Sequence, residues 1–238
     1  MPGKHTLELF DQDLRLLREE VLNLSAMAGE ELDAAMIALF NRDAARAKEV
    51  IDADLNADHL QERIQRHMTV VLARQQAMAD DLREILAAGR IGDYLERLGD
   101  QAKKIAKRAT KLTDTIETRI GDRLRWMNDR IQATLQQVMD AYARRDAQAA
   151  NVVWAGDVEV DMVYGEIFGA LLDRMRHDSA SVADGVQLLL IAKGLERAGD
   201  YLTNIAEEVY LMVTGIPLQG PRPRVDTTVP PGMDSSAH

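Results

Sequence analysis

The sequence has no cysteine, few aromatic residues and almost no proline over most of its length. The lack of cysteine excludes disulfide bonds, thiolate metal sites and thiol nucleophiles. Between Pro2 and Pro217 there is no proline, and the same stretch is rich in alanine, leucine, glutamate and arginine. Because proline breaks helices and these four residues favour them, the composition predicts an all-α protein.

Long apolar runs and an excess of positive charge are missing too. No apolar run approaches the ~20 residues of a membrane-spanning helix, and the first residues lack the hydrophobic core of a signal peptide. The formal net charge is −10, so phosphate backbones would be repelled and nucleic-acid binding is not expected. These features predict a soluble cytoplasmic protein.

What the sequence does contain is an internal repeat. Leu95-Glu-Arg-Leu-Gly-Asp100 returns one hundred residues later as Leu195-Glu-Arg-Ala-Gly-Asp200. Around both copies the apolar residues follow steps of three and four, which place them along one edge of a helix. A second segment, residues 42–58, matches residues 145–161 at an offset of 103. Such self-similarity predicts two copies of one structural unit.

Helical periodicity divides each copy into three helices, so we predict two tandem three-helix bundles. Asp43 is expected to be the N-cap of the second helix, and Ser181, with Asp184 three residues later, the N-cap of the sixth. Gly215 followed by Pro217 is a stop signal. The predicted helices cover approximately residues 5–39, 44–75, 79–112, 122–143, 146–176 and 182–214. The predicted units are residues 1–116 and 117–215, followed by a proline-rich disordered tail at 216–238.

Carboxylate pairs spaced four residues apart recur at matching places in both copies. Residues four apart share one face of a helix, and a like-charged pair there costs about 0.2–0.5 kcal/mol. With 39 acidic residues in 238, about six such pairs are expected by chance, so a single pair means little. Chance does not explain why the same two pairs occur in both copies. The four pairs are Asp54/Asp58, Glu96/Asp100, Asp157/Asp161 and Glu196/Asp200.

If the second and third helices of each copy pack with these faces adjacent, four carboxylates converge in each bundle. An oxygen-only cluster of this kind suits Mg²⁺, Mn²⁺, Ca²⁺ or iron. Gly99 and Gly199, directly before each aspartate, would leave room for an ion or a close neighbour. Arg97 and Arg197 offer the alternative that salt bridges neutralise the carboxylates. We therefore predict metal sites at the eight carboxylates, with a purely structural acidic face as the alternative.

Several segments resemble the PhoU family of phosphate-responsive regulators. The similarity is carried by Leu195-Glu-Arg-Ala-Gly-Asp-Tyr-Leu-Thr-Asn-Ile-Ala-Glu207 with Val213-Thr-Gly215 after it, and by Ala79-Asp-Asp-Leu-Arg83. The resemblance implies two tandem three-helix bundles, each with a Glu/Asp-x-x-x-Asp motif, here Glu96 to Asp100 and Glu196 to Asp200. In this chain Lys104 and Lys107 replace the expected asparagine and glutamate, which makes the first site less acidic.

The resemblance also implies a function in regulation and not in catalysis. Such a protein would be a negative regulator of phosphate uptake and phosphate-starvation signalling. Its partners would be the ATPase subunit of the phosphate ABC transporter and a sensor histidine kinase, and it would be a homodimer held at the inner membrane face only through these partners. The motif carboxylates would bind divalent or trivalent metal ions, which we take to be Mg, Mn, Fe or Zn.

Two other functions remain as alternatives. A ferritin-like metal enzyme also uses a helical bundle with inward carboxylates, but that class requires Glu-x-x-His motifs and the sequence has none. A metal-free helical adaptor is the second alternative. Phosphate-binding Gly-x-x-x-x-Gly-Lys loops and Gly-x-Ser-x-Gly nucleophile elbows are absent from the sequence as well, so we do not expect an enzyme.

Overall fold

The computed structural model describes residues 3–74, 79–156 and 158–220, and within these ranges the chain is helical with no strand. Seven α-helices occur in this part of the chain, together with a 3₁₀ turn at Ser179–Ser181 before the last helix. None of them is both long and apolar enough to cross a membrane. The helices are α1 (Gly3–Asn41), α2 (Ala44–Arg74), α3 (Ala79–Ala109), α4 (Thr118–Arg144), α5 (Ala147–Ala155), α6 (Val158–His177) and α7 (Val182–Thr214).

Two units of the same design follow one another, and this confirms the predicted tandem repeat. In the first unit α1, α2 and α3 pack on each other, and in the second α4 and the α5–α6 pair pack on α7. The apolar edges predicted from the repeat form the core of both units. Leu95, Leu98, Leu195 and Leu202 are fully buried. Burying such a side chain contributes about 1.5–3 kcal/mol, so these edges dominate the stability of each bundle.

The fifth predicted helix is interrupted in the structure. α5 ends at Ala155, and Gly156 donates a backbone hydrogen bond to the Val153 carbonyl (3.1 Å) before α6 begins at Val158. At the matching place in the first unit stands Ala53, and α2 runs through it without a break. Glycine is less favourable than alanine inside a helix by about 0.5–1 kcal/mol, and this difference favours the interruption in the second copy.

One of the two predicted N-caps is confirmed and the other is wrong. The carboxylate of Asp43 accepts a hydrogen bond from the backbone of Arg46 (3.0 Å), as an N-cap does. Ser181 makes no side-chain cap for α7, and its hydroxyl instead donates to the carbonyl of Asp178 (2.7 Å). At the other end of α7, Gly215 has a positive φ of 72°, which confirms the stop signal.

The two long helices α3 and α7 lie antiparallel and join the two units. Near one end Arg90 forms an ion pair with Glu208 (3.1 Å), and near the other Arg108 donates to Gln187 (3.4 Å). Between them the rings of Tyr94 and Tyr201 stack with centroids 6.4 Å apart. This register makes the two copies of the repeated hexapeptide cross each other near the middle of the joint.

An ion pair also holds the units together at one end of this joint. Glu84 on α3 is almost fully buried and accepts hydrogen bonds from Arg18 on α1 and from Arg145, which follows α4. Asp184 matches Glu84 at an offset of 100, but it contacts residues 110–117, the segment that connects α3 to α4. It accepts bonds from the backbone of Thr113 (3.1 Å) and of Asp114 (2.8 Å).

Candidate functional site

The acidic pair on α3 lies along the edge that faces α2. Gln61 on α2 donates to the carboxylate of Asp93 (2.7 Å), and Gln65 donates to the carbonyl of Gly89 (3.3 Å). These contacts fix an antiparallel register, in which each step forward along α2 is matched by a step backward along α3. Continuing that register along the helices places position 58 level with Glu96, and position 54 level with Asp100. The backbone therefore places the two motifs of the first unit at the same level along the helices.

The second unit repeats this register between α6 and α7. The ammonium group of Lys193 lies 5.1 Å from the ring centroid of Tyr164. Lys193 matches Asp93 of the first unit, and Tyr164 matches Gln61. The same continuation places Asp161 level with Glu196. Asp161 is buried, with a relative exposure of 8%. Burial raises the pKa of the Tyr164 hydroxyl, the nearby Lys193 ammonium opposes this, and the Glu196 carboxylate adds to it.

Lysines neutralise part of each motif. Lys104 pairs with Asp100 (3.0 Å) in the first unit, and Lys193 pairs with Oε1 of Glu196 (2.7 Å) in the second. The Arg97 guanidinium lies over the Tyr94 ring, 5.7 Å from its centroid. Within the part of the chain that the structure describes, Oε2 of Glu196 is buried and has no hydrogen-bond partner. A buried carboxylate oxygen of this kind is suited to accept a cation.

Glu31 is a buried carboxylate that the sequence analysis missed. It lies on α1 among the core-facing residues Ala28, Leu32 and Ala35, and its exposure is 8%. A Cβ atom placed on Gly99 would lie 3.0 Å from Oε2 of Glu31, so this glycine lets the carboxylate approach α3. A charged residue at an apolar position of the helical repeat is the signal that could have identified it.

Matching clefts lie beside both motifs but differ in chemistry. The first, of about 300 Å³, lies between α1 and α2 and is lined by acidic groups, including Glu30, Glu31 and Glu49. The second, of about 190 Å³, occupies the matching place in the other unit and is lined by Arg130 and by uncharged polar groups such as Thr134, Gln137 and Thr203. Thr134 stands where Glu31 stands in the first copy, at an offset of 103. Among the described residues, the cleft is therefore lined by three glutamates and Arg46 in the first unit, and by Arg130 with no carboxylate in the second.

The convergence of eight carboxylates stays a prediction. Among the side chains that the structure describes, no three carboxylate or imidazole groups are gathered in a way that could hold a metal ion. Asp157 and the side chain of Asp54 lie outside the part of the chain that the structure describes, so one predicted ligand of each unit cannot be placed. The predicted ligands that can be compared are Asp58, Glu96, Asp100, Asp161, Glu196 and Asp200.

Comparison with known proteins matches both units to one family. A family model described as "PhoU domain" matches residues 21–109 and again residues 124–209. A phosphate-specific transport system accessory protein PhoU homolog from Rhizobium meliloti is 35% identical over 229 residues, covering 96% of this chain and 97% of that protein. The protein of the same name from Caulobacter vibrioides is 38% identical over 227 residues, covering 94% of this chain and 97% of its own.

Solved structures show the same architecture. The crystal structure of PhoU from Pseudomonas aeruginosa superposes with a TM-score of 0.83 at 30% identity, covering 87% of this chain and all of that one. The crystal structure of the phosphate transport system regulatory protein PhoU from Streptococcus pneumoniae gives a TM-score of 0.82 at 27% identity, with coverages of 88% and 99%. The predicted all-α tandem fold is thus confirmed by two experimental structures.

Proposed function

The chain belongs to the PhoU family, and we propose that it is a negative regulator of phosphate uptake and phosphate-starvation signalling that acts without catalysis. The single observation that carries this proposal is the nearly full-length match of both units to relatives named as accessory proteins of a phosphate-specific transport system. A role in phosphate transport regulation follows from these names. The sign of the regulation and the absence of catalysis are the proposal.

Protein contacts are the proposed means of action. The regulator binds the ATPase subunit of the phosphate ABC transporter and a sensor histidine kinase, and it reaches the inner membrane face from the cytoplasm through these partners. A homodimer is the proposed assembly. The support is physical: α3 and α7 join the two units through packing, an ion pair and a hydrogen bond, which gives a rigid surface for docking.

Metal binding at the motif carboxylates is the proposed means of control. Mg, Mn, Fe or Zn ions would be held by Asp54, Asp58, Glu96 and Asp100 in the first unit, and by Asp157, Asp161, Glu196 and Asp200 in the second. Support comes from the register that aligns the motifs and from the buried, unpartnered Oε2 of Glu196 in the described structure. A bound cation would neutralise clustered charge and stiffen the helices that carry it.

A deletion strain tests the regulatory role. Without the protein we expect a phosphate-starvation promoter to stay active in high phosphate, and we expect the wild-type chain to restore repression. As a second readout, the tagged chain should recover the transporter ATPase or the sensor kinase from native membranes, in amounts that differ between high and low phosphate. Normal repression in the deletion strain, together with recovery of neither partner, would overturn the proposal.

Metal retention is tested separately on the purified chain. We expect Mn²⁺ to raise the melting temperature of the wild type, and elemental analysis to find metal after gel filtration. The double variant Glu96→Gln/Glu196→Gln should lose both effects. The matched control Glu62→Gln/Glu166→Gln changes two exposed glutamates that pair with Arg66 and Arg123, and it should keep them. Equal retention in both double variants, or none in the wild type, would leave a metal-free adaptor as the function.

A further inference from the structure

The joined helices α3 and α7 leave one face exposed, and this face carries apolar side chains at both ends. Leu82 and Leu86 lie at one end with exposures of 37% and 41%. Val182 and Val186 occupy the matching positions of the second copy, at an offset of 100, with exposures of 41% and 39%. Leu190 extends the second row by one turn and is 39% exposed. Each row follows one side of its helix, because its residues are four apart.

A cluster of lysines lies beside the second of these rows. The last turns of α3 and the residues after it carry Lys104, Lys107, Arg108 and Lys111, of which the three lysines are exposed. The second copy has Asn204, Glu207, Glu208 and Leu211 at the matching positions. The duplication has therefore kept the apolar rows and reversed the charge beside them. A chain with a net charge of −10 has concentrated cations at one end of one face.

Contacts between α3 and α7 place the cations beside the second apolar row. Arg108 donates to Gln187, the residue next to Val186. At the opposite end Arg90 forms an ion pair with Glu208. In the other copy, at an offset of 100, the residue that matches Arg90 is Leu190 and the residue that matches Glu208 is Arg108. The repeat therefore places Leu190 level with Arg108 across the joint. Val182, Val186 and Leu190 thus form an apolar strip with Arg108 at its edge and with Lys104, Lys107 and Lys111 on the neighbouring turns of α3 and just after it, and we call this the cationic strip.

We propose that the cationic strip is a docking site for an acidic amphipathic helix of a partner protein. Val182 to Leu190 spans about 12 Å, or roughly two turns, which matches the i, i+4, i+7 anchors of a helix laid against it. Acidic residues on the edge of that helix nearer α3 would face the lysines. The overall negative charge of the chain repels such a segment elsewhere, so charge complementarity directs it to this end. The inference adds a partner surface to the proposed regulatory function and rests on it.

The test uses two fluorescent 18-residue peptides and the purified full-length chain. Both peptides carry leucines at i, i+4, i+7 and i+11, and they differ only in having glutamate or lysine on the flanks. We expect the glutamate peptide to bind with a micromolar Kd that weakens with salt, and the lysine peptide to bind at least about tenfold more weakly. Thermal melting of every variant confirms that it is folded.

Matched variants locate the site. Lys107→Glu/Lys111→Glu should weaken glutamate-peptide binding by about tenfold or more, whereas the equal charge change Lys48→Glu/Arg66→Glu on α2 should change it less than about twofold. Val186→Asn should weaken binding by about fivefold, and its counterpart Leu86→Asn should not.

Three results would overturn the inference: no binding of the glutamate peptide at 1 mM, equal binding of the lysine peptide, or equal losses in the paired variants. Vesicles containing phosphatidylglycerol are measured in parallel. Binding of these vesicles with the same dependence on Lys107 and Lys111, and without peptide binding, would assign the strip to a membrane instead. The deletion-strain phenotype does not depend on the peptide, so failure here remains distinguishable from failure of the proposed function.

Discussion

Replacing Glu84 by glutamine removes the charge on which an ion pair between the units and another within the first unit depend. The Glu84 side chain is only 3% exposed and accepts hydrogen bonds from both Arg18 and Arg145. Glutamine fills nearly the same volume and keeps one carbonyl oxygen for one guanidinium. Its NH₂ group, however, faces the other guanidinium donor to donor. The substitution therefore tests charge and hydrogen bonding with little change in packing.

Burial and exposure set the size of the effect. Removing one partner of a fully buried ion pair costs about 3–5 kcal/mol, because the remaining charge stays desolvated. Arg18 and Arg145 are 29% and 38% exposed, so both regain part of their hydration. We discount the loss accordingly to about 2–3 kcal/mol. For a chain of this size that corresponds to a fall in melting temperature of about 4–12 °C.

Urea unfolding and thermal melting of purified Glu84→Gln measure the loss. Glu62→Gln is the control, because Glu62 is 60% exposed and its pair with Arg66 (3.6 Å) lies in solvent. That change should stay within about 0.5 kcal/mol of the wild type. If Glu84→Gln is no more destabilising than Glu62→Gln, the reasoning that the buried charge holds the units together is refuted.

Three further substitutions test other parts of the structure. Tyr142→Phe should stabilise the chain by about 1 kcal/mol in urea unfolding, because the Tyr142 hydroxyl is buried without a hydrogen-bond partner in the described residues, and a loss of stability would reveal a missed partner. Gly99→Ala should destabilise the chain, because the new Cβ would crowd Oε2 of Glu31. The control Gly169→Ala should stabilise it by about 0.5–1 kcal/mol, because no neighbouring atom lies within 4 Å of the new Cβ. Equal shifts in melting temperature for the two variants would contradict this. Burial would raise the pKa of the Asp184 carboxyl, but the hydrogen bonds from Asp114 and Thr113 outweigh it and the pKa lies below the ordinary value of 3.8. The stabilisation by the Asp184 carboxylate is therefore complete above pH 3.8 and is lost as the pH falls below it. We expect the difference in unfolding free energy between the wild type and Asp184→Asn to disappear in that range. A difference that persists at low pH would show that the charge is unimportant.

The helical framework could be predicted because its causes are local. Steps of three and four in the apolar residues identified the buried edges that contain Leu95 and Leu195, and the stop at Gly215 follows from local backbone geometry. The break at Gly156 was missed because a single glycine is a weak signal within a long apolar pattern. Ser181 failed as a cap because Asp178, three residues earlier, starts a 3₁₀ turn and caps it.

The candidate site was less predictable because it depends on contacts between helices. Sequence spacing placed Glu96 and Asp100 on one face, and the register of α2 against α3 agrees with that expectation. It did not reveal that Lys104 and Lys193 pair with Asp100 and Glu196. Nor did it identify Glu31, which comes from α1 and reaches α3 only because the helices pack.

The joint between α3 and α7 bears on how such a chain could arise. A side of α3 is covered by α7, as when Ile105 lies 3.5 Å from the Cβ position of Gly194. One copy of the unit alone would expose that side to water, and two identical copies related by a twofold axis would cover it for each other. A single copy of such a unit would therefore gain stability by pairing with a second copy. Two copies within one chain keep that pairing intramolecular and leave each half free to differ from the other, as the linings of the two clefts do.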